Sequence, residues 1–86
     1  IRTSIKLTAN HAGYFEFKLC PEKNTLDELV QQQCFDKYPL RLQDGSTRVP
    51  VSSGIMDYNP VLKLPDGVRC SYCVIQWTYT TGIQLL

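Results

Sequence analysis

The sequence predicts an all-β domain: a small disulfide-stapled antiparallel β-sandwich with one short helix in a long connection. Three observations carry that expectation. Apolar and polar residues alternate with a period of two in separate runs, four cysteines form an even set in a short chain, and a helix-start signature lies between two of them. With 86 residues, 43% hydrophobic and 20% charged, residues 1–86 read as one folded domain. A chain this short buries only about 60% of the surface that its unfolded form exposes, so covalent staples are expected to supplement the core.

Ile1, Thr3, Ile5, Leu7 and Ala9 alternate with Arg2, Ser4, Lys6 and Thr8, which predicts a strand with one buried face. A turn carrying Asn10 and Gly13 leads into a second strand, Tyr14 to Leu19, with Phe15, Phe17 and Leu19 inward and Glu16 and Lys18 outward. Thr25-Leu26-Asp27-Glu28 is a capping-box pattern and predicts a helix from about Thr25 to Gln33. Tyr38 to Pro60 is rich in Pro, Gly, Ser and Asp and reads as surface loop with short extended pieces at best. A short strand, Pro60 to Leu64, ends in the turn Pro65-Asp66-Gly67. Cys73, Ile75, Trp77 and Tyr79 then alternate with Val74, Gln76, Thr78 and Thr80, the strongest β pattern in the chain.

Cys20, Cys34, Cys70 and Cys73 point to disulfides and to a secreted, extracellular setting. Three connectivities are open, the local one joining Cys20 to Cys34 and Cys70 to Cys73. Cys70-Ser71-Tyr72-Cys73 also has the spacing of a redox pair or half a zinc site. The residues lead into a β run rather than a helix, and no second close Cys or His pair completes a zinc tetrahedron.

Nine basic and eight acidic side chains give a net charge of +1, so nothing in the charge pattern attracts nucleic acid or an anionic membrane. No stretch approaches the roughly 18 apolar residues that would span a bilayer. The alternating start, Ile1-Arg2-Thr3-Ser4, is not a signal-peptide core, so the chain reads as mature and soluble. His11 is the only histidine, which excludes relays and metal sites built from several histidines within this chain. A lone histidine after a strand is ordinarily a turn or surface residue; a functional role requires partner ligands or a nucleophile beside it.

Four segments occur in order: Leu7-Thr8-Ala9-Asn10-His11-Ala12-Gly13-Tyr14-Phe15-Glu16-Phe17, Leu19-Cys20-Pro21, Cys34-Phe35-Asp36-Lys37-Tyr38-Pro39-Leu40, and Cys70-Ser71-Tyr72-Cys73-Val74-Ile75-Gln76-Trp77-Thr78-Tyr79-Thr80-Thr81-Gly82. Together they resemble the central part of arthropod-type lytic polysaccharide monooxygenases, whose domain is also described as a type-4 chitin-binding domain. The resemblance implies a disulfide-bonded, fibronectin- or immunoglobulin-like sandwich. It also implies a copper ion held by a histidine brace, the amino group and ring of an N-terminal histidine together with the ring of an internal one. His11 matches the internal ligand. Ile1 stands at position 1, and the chain ends at Ile83-Gln84-Leu85-Leu86, where the family continues toward a further cysteine and an axial aromatic.

Those departures set the functional expectation: a non-catalytic structural or interaction module of an extracellular matrix or mineralised assembly, not an enzyme, with no cofactor. Another protein chain or a second copy is its expected partner, through Ile1, Ile83, Leu85 and Leu86. Ordinary core packing is the competing reading of those four residues. The alternative is a fragment of a copper-dependent monooxygenase acting on chitin or cellulose, with His11 as one ligand. A third reading is a polysaccharide-binding module stacking sugars on Tyr38, Tyr58 or Tyr72, which otherwise read as half-buried loop anchors.

Overall fold

The computed structural model describes residues 1–21, 27–70 and 72–82. The elements are β1 (Ile5–Lys6), β2 (Gly13–Cys20), α1 (Glu28–Lys37), β3 (Arg48–Val51), β4 (Asp57–Tyr58) and β5 (Val74–Thr81). All described strand pairs are antiparallel, and the strands form a three-stranded sheet β3-β2-β5 and a two-stranded sheet β1-β4. A small disulfide-stapled β-sandwich results.

β2 is the central strand because its alternation is complete. Phe15, Phe17 and Leu19 are buried, whereas Tyr14, Glu16 and Lys18 are half-buried on the other face. β5 pairs with β2 along its whole length, from Gly13 opposite Thr81 to Cys20 opposite Val74. The other edge of β2 is shared. β3 pairs with Gly13 to Glu16, and Tyr38 to Leu40 continue the edge through Leu19 N–H to Tyr38 O (2.9 Å) and Leu40 N–H to Phe17 O (2.9 Å). Pro39 sits opposite Lys18 between those two bonds, a position where its missing N–H breaks no ladder contact.

The long connection holds more structure than the loop expected there. Val49 and Val51 are buried between exposed Arg48 and Pro50. Pro50, which argues against a strand, is accommodated because β3 lies at the sheet edge. The N-terminal segment is only partly the strand expected. Ile5 and Lys6 pair with Tyr58 and Asp57, and separate bonds outside that pairing link Thr3 N–H to Pro60 O (3.1 Å), Leu7 N–H to Met56 O (2.8 Å) and Leu62 N–H to Ile1 O (2.7 Å). Pro60 supplies no N–H, so the ladder breaks where it passes. The Pro60 to Leu64 strand likewise reduces to bridges at Val61 and Lys63, with Leu62 alone fully inward.

The helix differs from its predicted span. Its N-cap is Asp27, whose carboxylate accepts from Leu29 N–H (2.8 Å) and Val30 N–H (3.3 Å). The run extends to Lys37, placing Cys34 and Phe35 on the buried side while Leu29 and Val30 are exposed. Thr25 lies outside the described residues. Tyr38 ends the helix because the residue before a proline disfavours helical backbone. The buried Cys20–Cys34 disulfide ties the helix to β2, and Cys70–Cys73 closes the short loop before β5. Lys18 Nζ to Asp36 (2.8 Å) and Gln76 Nε2 to Gln32 Oε1 (3.0 Å) add polar contacts from the sheet.

The Lys18 hydrogen bond, with a smaller contribution from Gln32, holds the Asp36 carboxyl below its ordinary pKa. A depressed folded pKa contributes stability above the unfolded value and loses it as pH falls through the folded one. Asp36→Asn is therefore expected to cost a little stability at neutral pH and to flatten the acid limb below about pH 4, as read by thermal unfolding across that range.

The core comprises Leu7, Phe15, Phe17, Leu19, Leu40, Val49, Val51 and Leu62. Phe15 is its centre, fully buried and in edge contact with Tyr58, Trp77 and Tyr79 at centroid distances of 5.3, 5.3 and 5.1 Å. By register Ile75 and Trp77 share the face of Leu19 and Phe17, yet they are 44% and 45% exposed. The second layer covers β2 and leaves most of β5 open.

Candidate functional site

The strands bring three chain segments to one end of the larger sheet. Gly13 is opposite both Val51 and Thr81, so the turn before β2, the turn after β3 and the end of β5 meet there. His11, exposed, lies in the first of these.

Its backbone is held in an uncommon conformation. Ala12 has φ 59° and Gly13 φ 110°, two consecutive residues in a region that side chains disfavour. Such strain persists only where surrounding contacts impose it, and it concentrates at functional sites. Here the contacts are explicit. Asn10 Oδ1 accepts from Ala12 N–H (2.7 Å), the local turn bond that asparagine makes two residues on. The Tyr79 hydroxyl accepts from His11 N–H (3.2 Å) and donates to Ala12 O (2.8 Å). Gly82 N–H is shared between His11 O (3.2 Å) and Ala12 O (3.1 Å). The imidazole therefore projects from a turn whose peptide groups are fixed on both sides.

Asn10 also reaches across to the turn after β3. Its Nδ2 donates to Ser52 O (2.7 Å) and to Ile55 O. The Tyr58 hydroxyl grips the same turn, accepting from Ser52 N–H (3.0 Å) and donating to Ser52 O (3.2 Å). Sequence reasoning singled out His11 and noted Asn10 and Gly13 as turn residues. It missed Tyr79 as a clamp and Ser52 to Met56 as a neighbour, and only the Asx-turn chemistry of Asn10 hinted at the arrangement.

Of the other predicted residues only Tyr58 reaches this cluster, half-buried against the core with its hydroxyl on Ser52; Tyr38 is half-buried against the core along the edge of β2. Tyr72 is exposed, between the bonded Cys70 and Cys73, and so stands at the opposite end of β5 from His11, about 25 Å along the strand. Ile1 is 41% exposed, with its backbone nitrogen bonded to Leu62 O at 2.7 Å. Ile83, Leu85 and Leu86 lie outside the described residues. A cavity of about 260 Å³ lined by Pro39, Arg41, Lys63, Leu64, Pro65 and Asp66 is remote from the His11 turn. Among the described residues no group of three or more His, Cys, Asp or Glu side chains is placed to hold a metal ion. His11 thus fits one ligand of a metal centre and not a whole one.

Over residues 1–84 the chain matches the family described as "Lytic polysaccharide mono-oxygenase, cellulose-degrading". It belongs to the lytic polysaccharide monooxygenase family. A solved structure of the lytic polysaccharide monooxygenase AA15 from Thermobia domestica in the Cu(I) state superimposes with a TM-score of 0.83 at 41% identity. The match covers 98% of this chain and 44% of that one, so the chain spans less than half the length of this relative. No curated protein sequence gave a significant match.

These findings overturn the expectation of a non-enzyme. That expectation rested on Ile1 and on the end at Leu86, but a chain spanning 44% of a copper monooxygenase at 41% identity carries no information about a lost site at its ends. Membership of the monooxygenase family points to copper chemistry, and the expectation of no cofactor has no support. Polysaccharide is the class of substrate that the family description names.

The clamp yields a first site prediction. Tyr79→Phe keeps the ring against Phe15 and removes both hydroxyl bonds to the His11–Ala12 segment. Its expected cost is about 1 kcal/mol in denaturant unfolding, because the His11 N–H is exposed to water and Ala12 O keeps its bond from Gly82 N–H.

Proposed function

We propose that the chain is the internal section of an extracellular copper-dependent monooxygenase that cleaves a polysaccharide oxidatively. In this reading His11 is one copper ligand, and the remaining ligands come from parts of the protein beyond this chain. The reading rests above all on the His11 turn: an exposed imidazole followed by two positive-φ residues and locked by Asn10, Tyr79 and Gly82. Family membership and the structural match support it. Two disulfides support an oxidising, extracellular location.

Copper, when bound, supplies the one-electron redox chemistry that an all-organic site lacks. This chain's part is to present the ring. A metal-ligating imidazole needs a fixed orientation, and outer contacts of the ligand ordinarily provide it. Here the fixing acts through the backbone. Tyr79 and Gly82 hold the peptides on both sides of His11, and Asn10 holds the turn geometry that aims the side chain. The net charge of the chain is +1, consistent with an uncharged glycan and with no electrostatic attraction for nucleic acid.

Copper titration of the intact protein tests the proposal. One tightly held copper per molecule, with nitrogen hyperfine structure in the Cu(II) electron paramagnetic resonance spectrum, is the expected result. Failure to retain copper under the same conditions would overturn it.

A further inference from the structure

We infer that the cavity between Arg41 and Lys63 is a binding site for a small hydroxylated monocarboxylate, the chemistry of a sugar acid, with the two cations holding the carboxylate and Asp66 accepting from a hydroxyl. The inference goes beyond the copper reading and does not depend on it. Pro39, which lines the cavity, stands opposite Lys18, roughly 17 Å along β2 from Gly13, so the site is separate from the His11 turn. Leu40 and Leu62 are buried, and the alternation of their two segments turns Arg41 and Lys63 to the opposite, exposed face. There the two are antiparallel bridge partners, with Lys63 N–H on Arg41 O at 2.7 Å. Single exposed cations are ordinarily solvated and require no explanation. This pair differs because like charges placed directly opposite each other destabilise the pairing they sit on, and among the described residues neither forms an ion pair. An anion seated between them removes that repulsion.

The frame is fixed from both sides. Arg41 Nη1 donates to Gly45 O (3.0 Å), inside a turn closed by Leu42 N–H on Ser46 O (2.9 Å) and Gly45 N–H on Leu42 O (3.0 Å). That bond holds one corner of the guanidinium and leaves its other N–H groups for a ligand. On the other side Pro65 O accepts from Val68 N–H (3.2 Å), which shapes the turn that carries Asp66. A volume of about 260 Å³ suits a ligand of single-sugar size. The charges select its class. Two positive side chains and one negative side chain leave a single positive charge in the lining, which matches one carboxylate and disfavours a doubly charged phosphate or sulfate. Asp66 repels a second anionic group and accepts a hydrogen bond from a hydroxyl. Pro39, Leu64 and Pro65 bring no side-chain donor or acceptor, and form an apolar wall for the C–H face of the ligand.

Titration calorimetry of the copper-free intact protein with sodium gluconate at low ionic strength tests the assignment, and its result leaves the copper assignment untouched either way. The expected result is one saturable site with a Kd on the order of 1 mM, and about tenfold weaker binding of acetate, which lacks the hydroxyls, and of sulfate. Lys63→Gln, whose side chain has no hydrogen bond or ion pair to lose among the described residues, should weaken gluconate binding about tenfold, and Arg41→Gln by at least as much. Asp66→Ala removes both the hydroxyl acceptor and the repelling charge, so the preference for gluconate over acetate should shrink to about twofold. Lys6→Gln, an exposed cation on the smaller sheet, should change nothing. No saturable binding of gluconate by the parent, equal binding by the parent and Lys63→Gln, or acetate and sulfate binding as tightly as gluconate would each overturn the inference.

Discussion

Replacing His11 with alanine is expected to lower the copper affinity of the intact protein by more than about 100-fold. Removing an outer-shell partner of a metal ligand already costs roughly 10–100-fold, and loss of the ligand itself exceeds that. The folded state should be almost unaffected, because the His11 side chain is exposed and the bonds that hold its turn come from its backbone N–H and C=O. Unfolding midpoints of variant and parent in their copper-free forms should therefore coincide while their copper isotherms separate. Tyr79→Phe gives the complementary pattern, a measurable loss of stability with the imidazole still present. A shift in the Cu(II) spectrum of that variant would report that the hydroxyl orients the ligand as well as stabilising the turn.

Replacing Gly13 with alanine should be the most damaging single substitution for the fold. A Cβ at this position would lie 1.9 Å from Thr80 O and 2.9 Å from Gly82 N, both backbone atoms of the partner segment. The residue also has φ +110°, which an alanine tolerates poorly. β2 and β5 must then separate at their first paired residues, Gly13 and Thr81, where the His11 turn is anchored. The expected cost is about 4 kcal/mol or more, in the range reserved for overpacking and backbone strain combined. Gly45→Ala is the control. It has a similar positive φ, +89°, but no atom within 4 Å of its Cβ, so it should lose only about 1–2 kcal/mol from strain. Urea unfolding of the two variants side by side separates the close approach from the backbone preference. Similar losses would place the tight contact at Gly13 in doubt.

The parts of the fold legible in the sequence are those whose information is local. β2 and β5 follow from alternation over Tyr14 to Leu19 and Cys73 to Thr80, and the presence of a helix, though not its start, follows from the Thr25 to Glu28 capping pattern. The helix start was misplaced because Thr25 and Asp27 both make acceptable caps, and the decision falls to Cys34 and Phe35, which have to reach β2. β3 and β4 were hidden by Pro50, Gly54 and the shortness of the strands, which leave too few alternating residues to register above turn chemistry. The exposure of Ile75 and Trp77 was also hidden, since alternation identifies a face but not what covers it.

The site shows the same division. His11 was found through whole-segment resemblance, because a lone histidine carries no pattern of its own. Tyr79 lies 68 residues from His11, and Ser52 lies 42 from Asn10, so neither clamp has a local signature. They arise from register: once β2 and β3 pair with Gly13 opposite Val51, and β2 and β5 with Gly13 opposite Thr81, the three turns must meet.

The most direct test of the account is product analysis by mass spectrometry after the copper-loaded intact protein is incubated with cellulose or chitin and a small-molecule reductant. The account predicts oligosaccharides that carry oxidised ends, dependent on both copper and reductant, and their disappearance in His11→Ala. Oxidised products that persist undiminished in the His11→Ala protein, or their absence from the copper-loaded parent on both polysaccharides, would contradict it.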